Sequence, residues 1–258
     1  MNPPYTYTIE DGIRNLLLGR VLLKKDMAAG ATTIPVGDEF EGMPGCTVPG
    51  ANLFYNFQTQ GVLVQPAASN LPGAIEYQET VDLVEGLPNA THLVASAGTA
   101  SAYTVARGAY IRLKDMPTAS AALKLIEIDI LDISTKPKDQ LFPGALVVAL
   151  QSESEDWSSS EDMDHVRMMV RYGRLIEAGL DNRAVLRQDM EQLSFLLRQD
   201  HYLGGTATDC DILRPFVMNP TPGRMHTGYV ETVSGARLDW GDIHLTAHRL
   251  VVIDKTMK

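Results

Sequence analysis

The chain has 258 residues, 45% of them apolar, which is enough to build substantial cores. It carries 32 acidic against 22 basic residues, a net charge of −10, and has no basic cluster, so tight phosphate-neutralising binding of nucleic acid is not expected. No apolar run reaches the length of a membrane span, and MNPPYTYTIEDGIRN lacks the basic-then-apolar pattern of a signal peptide, so Cys46 and Cys210 are expected as reduced thiols.

In chain order, residues 9–25 read as an amphipathic helix. Ile9, Ile13, Leu16 and Leu17 recur at helical spacing, Thr8 is the expected N-cap, and Lys24 and Lys25 suit the C-terminal end of the dipole. Gly12 and Gly19 weaken that pattern. From Gly30 to Leu113 follow short runs rich in Val, Ile, Thr and Tyr, broken by Gly, Pro and Asn: GATTIPVGDEF, NLFYNFQTQGVLVQP, AIEYQETVDLVEGL, THLVASAG and YTVARGAYIRL. Their spacing predicts a small barrel or sandwich. TASAALKLIEIDILDIS fits a helix in its first half and a strand in its second. LFPGALVVALQSE (141–153) reads as a buried strand, and 165–179 fits a helix or a strand, with a strand pairing with 145–151 favoured. DNRAVLRQDMEQLSFLLRQ (181–199) is the clearest helix, capped by Asp181 or Asn182, with Val185, Leu186, Met190, Leu193, Leu196 and Leu197 on one stripe. Two more strands are expected, around GYVETVSGARL and in GDIHLTAHRLVVI.

Few residues promise chemistry. His244 and His248 have the spacing of a zinc-helix pair, but the apolar residues around them alternate with period two. On a strand they stand about 13 Å apart, and no Glu follows the first His, so they read as strand residues. SESEDWSSSEDMD (152–164) holds Glu153, Glu155, Asp156, Glu161, Asp162 and Asp164 with no base and no Gly, which excludes a calcium loop of the EF-hand kind. It reads as a solvated loop, or as a negative surface that repels a polyanion. Cys210 lies between Asp209 and Asp211, which disfavours a thiolate nucleophile. LGGTATD lacks the Lys of a phosphate loop and reads as a linker, and PTPGRMHTG (220–228), with Arg224 and His226, as an exposed connector. GxSxG, GxGxxG, CxxC and HExxH are absent. No catalytic residue, cofactor or metal is expected.

The phrase AGATTIPVGDEF…GVLVQP…IEYQETVDLVEG…ASAYTVARGAYIRL resembles a small β-module of virion proteins in tailed bacteriophages. The second half is similar to tail-terminator and tail-completion proteins of the phage neck. It shares a strand entered through FPGALVV, an acidic loop with Trp157, a second strand, one amphipathic helix and a last strand introduced by LDWGDIHL. The likeness spans most of 28–253, in a chain about twice as long as a plain tail terminator. It implies an α+β fold with three parts: an N-terminal helical segment, 1–27, packing with the C-terminal unit; a β-barrel or sandwich module, 28–115; and a tail-terminator-like domain, 116–258. It further implies a non-enzymatic virion protein, made in the bacterial host cytoplasm. That protein would form a homo-oligomeric ring of six or twelve at the head–tail junction, touching other neck and tail proteins and no membrane. DNA would pass through without specific binding, with the acidic loop of 152–164 at the channel. Two rival readings remain open. One is a ligand- or carbohydrate-binding accessory module using Tyr55, Phe57 and Tyr77. The other is a hydrolase built on a carboxylate pair that leaves no local motif.

Overall fold

A computed structural model of the chain describes residues 6–39, 47–55, 59–68, 74–84, 90–128, 142–156, 161–207, 209–212, 228–231 and 237–252. The fold is α+β with mostly antiparallel sheets. It divides into two compact units, one of residues 11–116 with 199–208, the other of 1–10, 117–198 and 209–258. Residues 11–27, placed with the C-terminal unit on sequence grounds, thus fall with the β-rich unit, and only 1–10 fall with the other.

The first helix, α1 (Thr6–Leu17), buries Ile9, Ile13, Leu16 and Leu17 as its spacing predicts. It starts before Thr8, which therefore lies inside the helix and is not its cap. It also stops earlier than expected. Gly19 adopts φ 58°, its N–H donates to the Leu16 carbonyl at 2.8 Å, and the chain turns into β1 (Arg20–Leu22). Gly12 is required by packing. A Cβ there would stand 2.2 Å from Thr206 Oγ1 and 2.3 Å from the Leu203 carbonyl oxygen, so the helix backbone rests directly on the 200–206 turn.

The same unit contains β2 (Thr33–Pro35), β3 (Asp38–Glu39), β4 (Thr47–Val48), β5 (Gln60–Pro66), β6 (Ile75–Asp82), β7 (His92–Val94) and β8 (Tyr110–Leu113). Four of these form an antiparallel sheet in the order β1-β8-β5-β6, while β2 pairs with β7 and β3 with β4. β5 is buried on both faces from Gly61 to Gln65. NLFYN, expected as strand, opens with a helical turn, α2 (Asn52–Tyr55). Adjacent Leu53 and Phe54 are both buried there, which strand alternation does not allow on a one-sided sheet.

Between the strands this unit is closed by side chains that reach backbone N–H groups. Glu79 takes the Ala100 N–H (2.8 Å) and the hydroxyl of buried Tyr103 (2.7 Å). Fully buried Gln65 accepts from the Thr104 N–H at 2.7 Å, and Asp26 from the Val105 N–H at 2.7 Å. These bonds satisfy donors that no ladder reaches.

In the other unit the ambiguous stretch resolves into α3 (Thr118–Ala122) followed by β9 (Leu125–Ile128). Three long strands dominate: β10 (Gly144–Asp156), β11 (Glu161–Leu175) and β14 (Arg237–Val252). With β12 (Asp209–Ile212) they form a sheet ordered β12-β14-β11-β10-β9, and β13 (Gly228–Glu231) also pairs with β14. Among the described strands only β9 and β10 run parallel. The expected pairing of 165–179 with 145–151 is present, with Val147 opposite Val170 and Ala145 opposite Tyr172. Val166, Met168, Val170 and Tyr172 are buried, as are Ile243, Leu245 and Ala247, so one face of this sheet is core. The predicted long helix is α4 (Asn182–Gln199), burying Leu186, Met190, Leu193, Leu196 and Leu197. Asp181 caps it by accepting the Ala184 N–H at 3.1 Å. The Tyr172 hydroxyl donates to Asp189 on α4 at 2.8 Å, and Arg174 pairs with the same carboxylate at 3.2 Å.

Candidate functional site

The six carboxylates read as one loop fall on the two strands of a hairpin. Glu153, Glu155 and Asp156 belong to β10, and Glu161, Asp162 and Asp164 to β11. The ladder holds register to Asp156 opposite Asp162, which corrects the loop expectation; residues 157–160, Trp157 among them, lie outside the described part. The cause is the third strand. β14 pairs with β11 over its whole length, from Leu238 opposite Leu175 to Val252 opposite Glu161. Backbone pairing on both sides of β11 overrides a composition that reads as turn.

Strand alternation divides the carboxylates between two faces. Glu153 and Glu155 are exposed on the face of His165. Asp162 and Asp164, half-buried, continue the row of Val166, Met168 and Val170 beyond the core. The charge of 152–164 is therefore carried by both sides of a three-stranded arm.

Strand register also creates a grouping that no local motif announces. His165 stands directly opposite His248, their Nδ1 atoms 2.7 Å apart and their rings edge to face at 4.9 Å. The outer Nε2 atoms reach Glu155 and Asp211, each at 3.4 Å. One row, Glu155–His165–His248–Asp211, thus crosses β10, β11, β14 and β12. The inner bond needs one Nδ1 with its hydrogen and one without, so one ring donates and the other accepts. The groups form a line and do not surround a point. Among the described residues no three or more His, Cys, Asp or Glu are grouped to hold a metal ion. His244 and His248 are strand residues, as their spacing predicts, with His244 opposite Met169. Sequence reasoning missed the role of His248 because its partner lies 83 residues away.

Opposite charges also face one another along the arm, with Arg249 across the ladder from Asp164. Arg171 holds Asp242 through two bonds, 2.8 and 2.9 Å, and lies over the Trp240 ring at 4.3 Å. The bond to Asp242 pushes the guanidinium above its ordinary value.

The remaining candidates settle into structural roles. Cys210, opposite Ala247, is buried and not in a disulfide, while Cys46 lies outside the described residues. LGGTATD is a tight turn in which fully buried Asp200 accepts the N–H groups of Tyr202 (3.0 Å) and Gly204 (2.8 Å). A carboxylate of the chain itself occupies the place an external anion would take in a phosphate loop. Burial raises the Asp200 carboxyl to about 6, against the opposing pull of those two N–H bonds, His201 and Asn52. Arg224 and His226 lie outside the described residues. Of the aromatics proposed to meet a ligand, Phe57 and the side chain of Tyr55 also lie outside them. Tyr77 donates to the Ala102 carbonyl and packs edge-on against Tyr103 at 5.5 Å. Among the described residues no helix is long and apolar enough to cross a membrane.

No protein-family model matches this chain, and no curated protein is significantly similar to it.

Proposed function

We propose that the chain is a non-enzymatic virion component of a tailed bacteriophage, building a ring of six or twelve copies at the head–tail junction. In this reading residues 28–115 are a β-barrel or sandwich module and 116–258 a tail-terminator-like domain. The observation that carries the proposal is the long arm of β10, β11 and β14, whose far end gathers Glu153, Glu155, Asp162 and Asp164 on both faces. Repeated around a closed ring, such arms present a net negative charge to a channel even with Arg249 standing opposite Asp164, and phosphate repulsion keeps DNA moving without holding it. Among the described residues, β10 beyond Val147 is paired on one side only, by β11, leaving an edge for a neighbouring copy. A heterologous contact of that kind closes into a ring when its rotation divides the circle.

The test is mass by light scattering together with negative-stain images of the purified full chain. A closed ring of six or twelve with a central hole supports the proposal. A monomer at every concentration, with no ring in the images, contradicts it.

A further inference from the structure

The β-rich unit contains a cavity of about 280 Å³ whose lining does not resemble the rest of this acidic chain. Asp11, Arg14 and Asn15 approach it from successive turns of α1, Arg20 and Leu22 from β1, and Tyr110 from β8, with Pro66, Ala74 and Ile75 closing the other side. Helical spacing puts positions 11, 14 and 15 on one side of α1, and strand alternation puts 20 and 22 on one face of β1. The pairing of Leu22 with Tyr110 brings the β8 ring to the same face.

Two guanidiniums in one small cavity are costly unless something answers them. Among the described residues neither Arg14 nor Arg20 takes part in an ion pair. The Nε of Arg14 is shielded from solvent and has no hydrogen-bond partner. Arg20 is better supported: its Nε donates to Asn15 Oδ1 at 2.8 Å and its guanidinium lies 4.7 Å from the centroid of the Tyr110 ring. These contacts orient it without neutralising it. Burial pushes its guanidinium down and like-charge repulsion from Arg14 adds to that, against the opposing pull of the Tyr110 hydroxyl and, more weakly, of Asp11. A third cation, Arg112, stands directly across from Arg20 in the β1–β8 ladder, a pairing that is unfavourable between strands. The lone acid at the cavity, Asp11, is exposed.

A planar fork of N–H donors with no acceptor is complementary to a carboxylate or phosphate, which it binds through paired charge-assisted bonds. The volume is close to the lower end of small-molecule sites, about 300 Å³, and part of the wall is apolar. We propose that this cavity binds a small organic oxyanion. Its carboxylate or phosphate head lies between Arg14 and Arg20, and its compact body rests against Leu22, Pro66, Ile75 and the Tyr110 ring. All of its lining residues belong to the β-rich unit, so the proposal does not rest on the arm or on ring assembly.

The experiment is calorimetric titration of the full chain with phenyl phosphate, benzoate and inorganic phosphate. Phenyl phosphate and benzoate are expected to bind saturably at one site per chain, with inorganic phosphate weaker than phenyl phosphate because it lacks the apolar body. Arg14→Gln and Arg20→Gln are each expected to weaken binding about tenfold or more, whereas Arg183→Gln, on α4 in the other unit, leaves it unchanged. Because Arg20 helps to hold α1 and β1, a second measurement uses the wild-type chain. Phenyl phosphate is expected to protect Arg14 and Arg20 from phenylglyoxal, read by peptide mass spectrometry. Absence of saturable binding by all three probes overturns the proposal. So does an equal loss in Arg183→Gln, or identical phenylglyoxal labelling of Arg14 with and without phenyl phosphate.

Discussion

The two units use the same chain chemistry in opposite ways. In the C-terminal unit, three strands of 13, 15 and 16 residues run in nearly unbroken register, and one face of each repeats the same apolar row. In the β-rich unit no described strand exceeds eight residues, and the chain is held at its breaks by single contacts: Gln65 to Thr104, Glu79 to Ala100, and Gly12 against the 200–206 turn. A periodic unit spreads its stability over many equivalent positions. An interrupted one relies on specific side-chain contacts at its breaks.

The largest expected effect attacks the periodic unit at a position fully buried on α4. Leu193→Ala leaves a cavity in the core and is expected to lower unfolding free energy by about 3 kcal/mol, read from urea midpoints. Next comes a pH effect that belongs to the interrupted unit alone. The Asp200 carboxyl titrates near 6 in the fold against 3.8 in the unfolded chain. Its contribution is therefore full below about pH 4 and is lost as pH rises through 6, amounting to about 3 kcal/mol at most. Urea midpoints from pH 4 to 7.5 should show Asp200→Asn gaining on the wild type as pH rises, since the variant keeps an acceptor oxygen and carries no charge. A constant gap between the two proteins across that range would remove Asp200 from the account.

Gly12→Ala sharpens the comparison further. One added methyl meets Thr206 Oγ1 and the Leu203 backbone, with an expected cost of about 2 kcal/mol, against the small gain alanine brings to an unobstructed helix position. The smallest effect is Asp181→Ala, which removes the α4 cap for about 1 kcal/mol.

Legibility in the sequence followed the same division. The helix over 182–199, its Asp181 cap and the pairing of 145–151 with 165–179 were readable, because a long element repeats its period enough times to be seen. The short elements were not. Residues 20–25 continue a helical pattern until Gly19 turns the backbone, and NLFY looks like strand until both Leu53 and Phe54 must be buried. The acidic stretch was misread as a loop because composition does not reveal that β14 pairs along the whole of β11. The His165–His248 contact and the convergence of Arg14 with Arg20 depend on strand register and on packing between elements, neither of which leaves a local signature.

Whether the acidic end of the arm faces the channel of a closed ring is visible in a cryo-electron microscopy map of the assembled full chain. Six or twelve copies are expected, with the β10–β11 ends carrying Glu153, Glu155, Asp162 and Asp164 turned into the lumen. Ends placed on the outer rim, or an assembly with no central opening, would contradict the proposal.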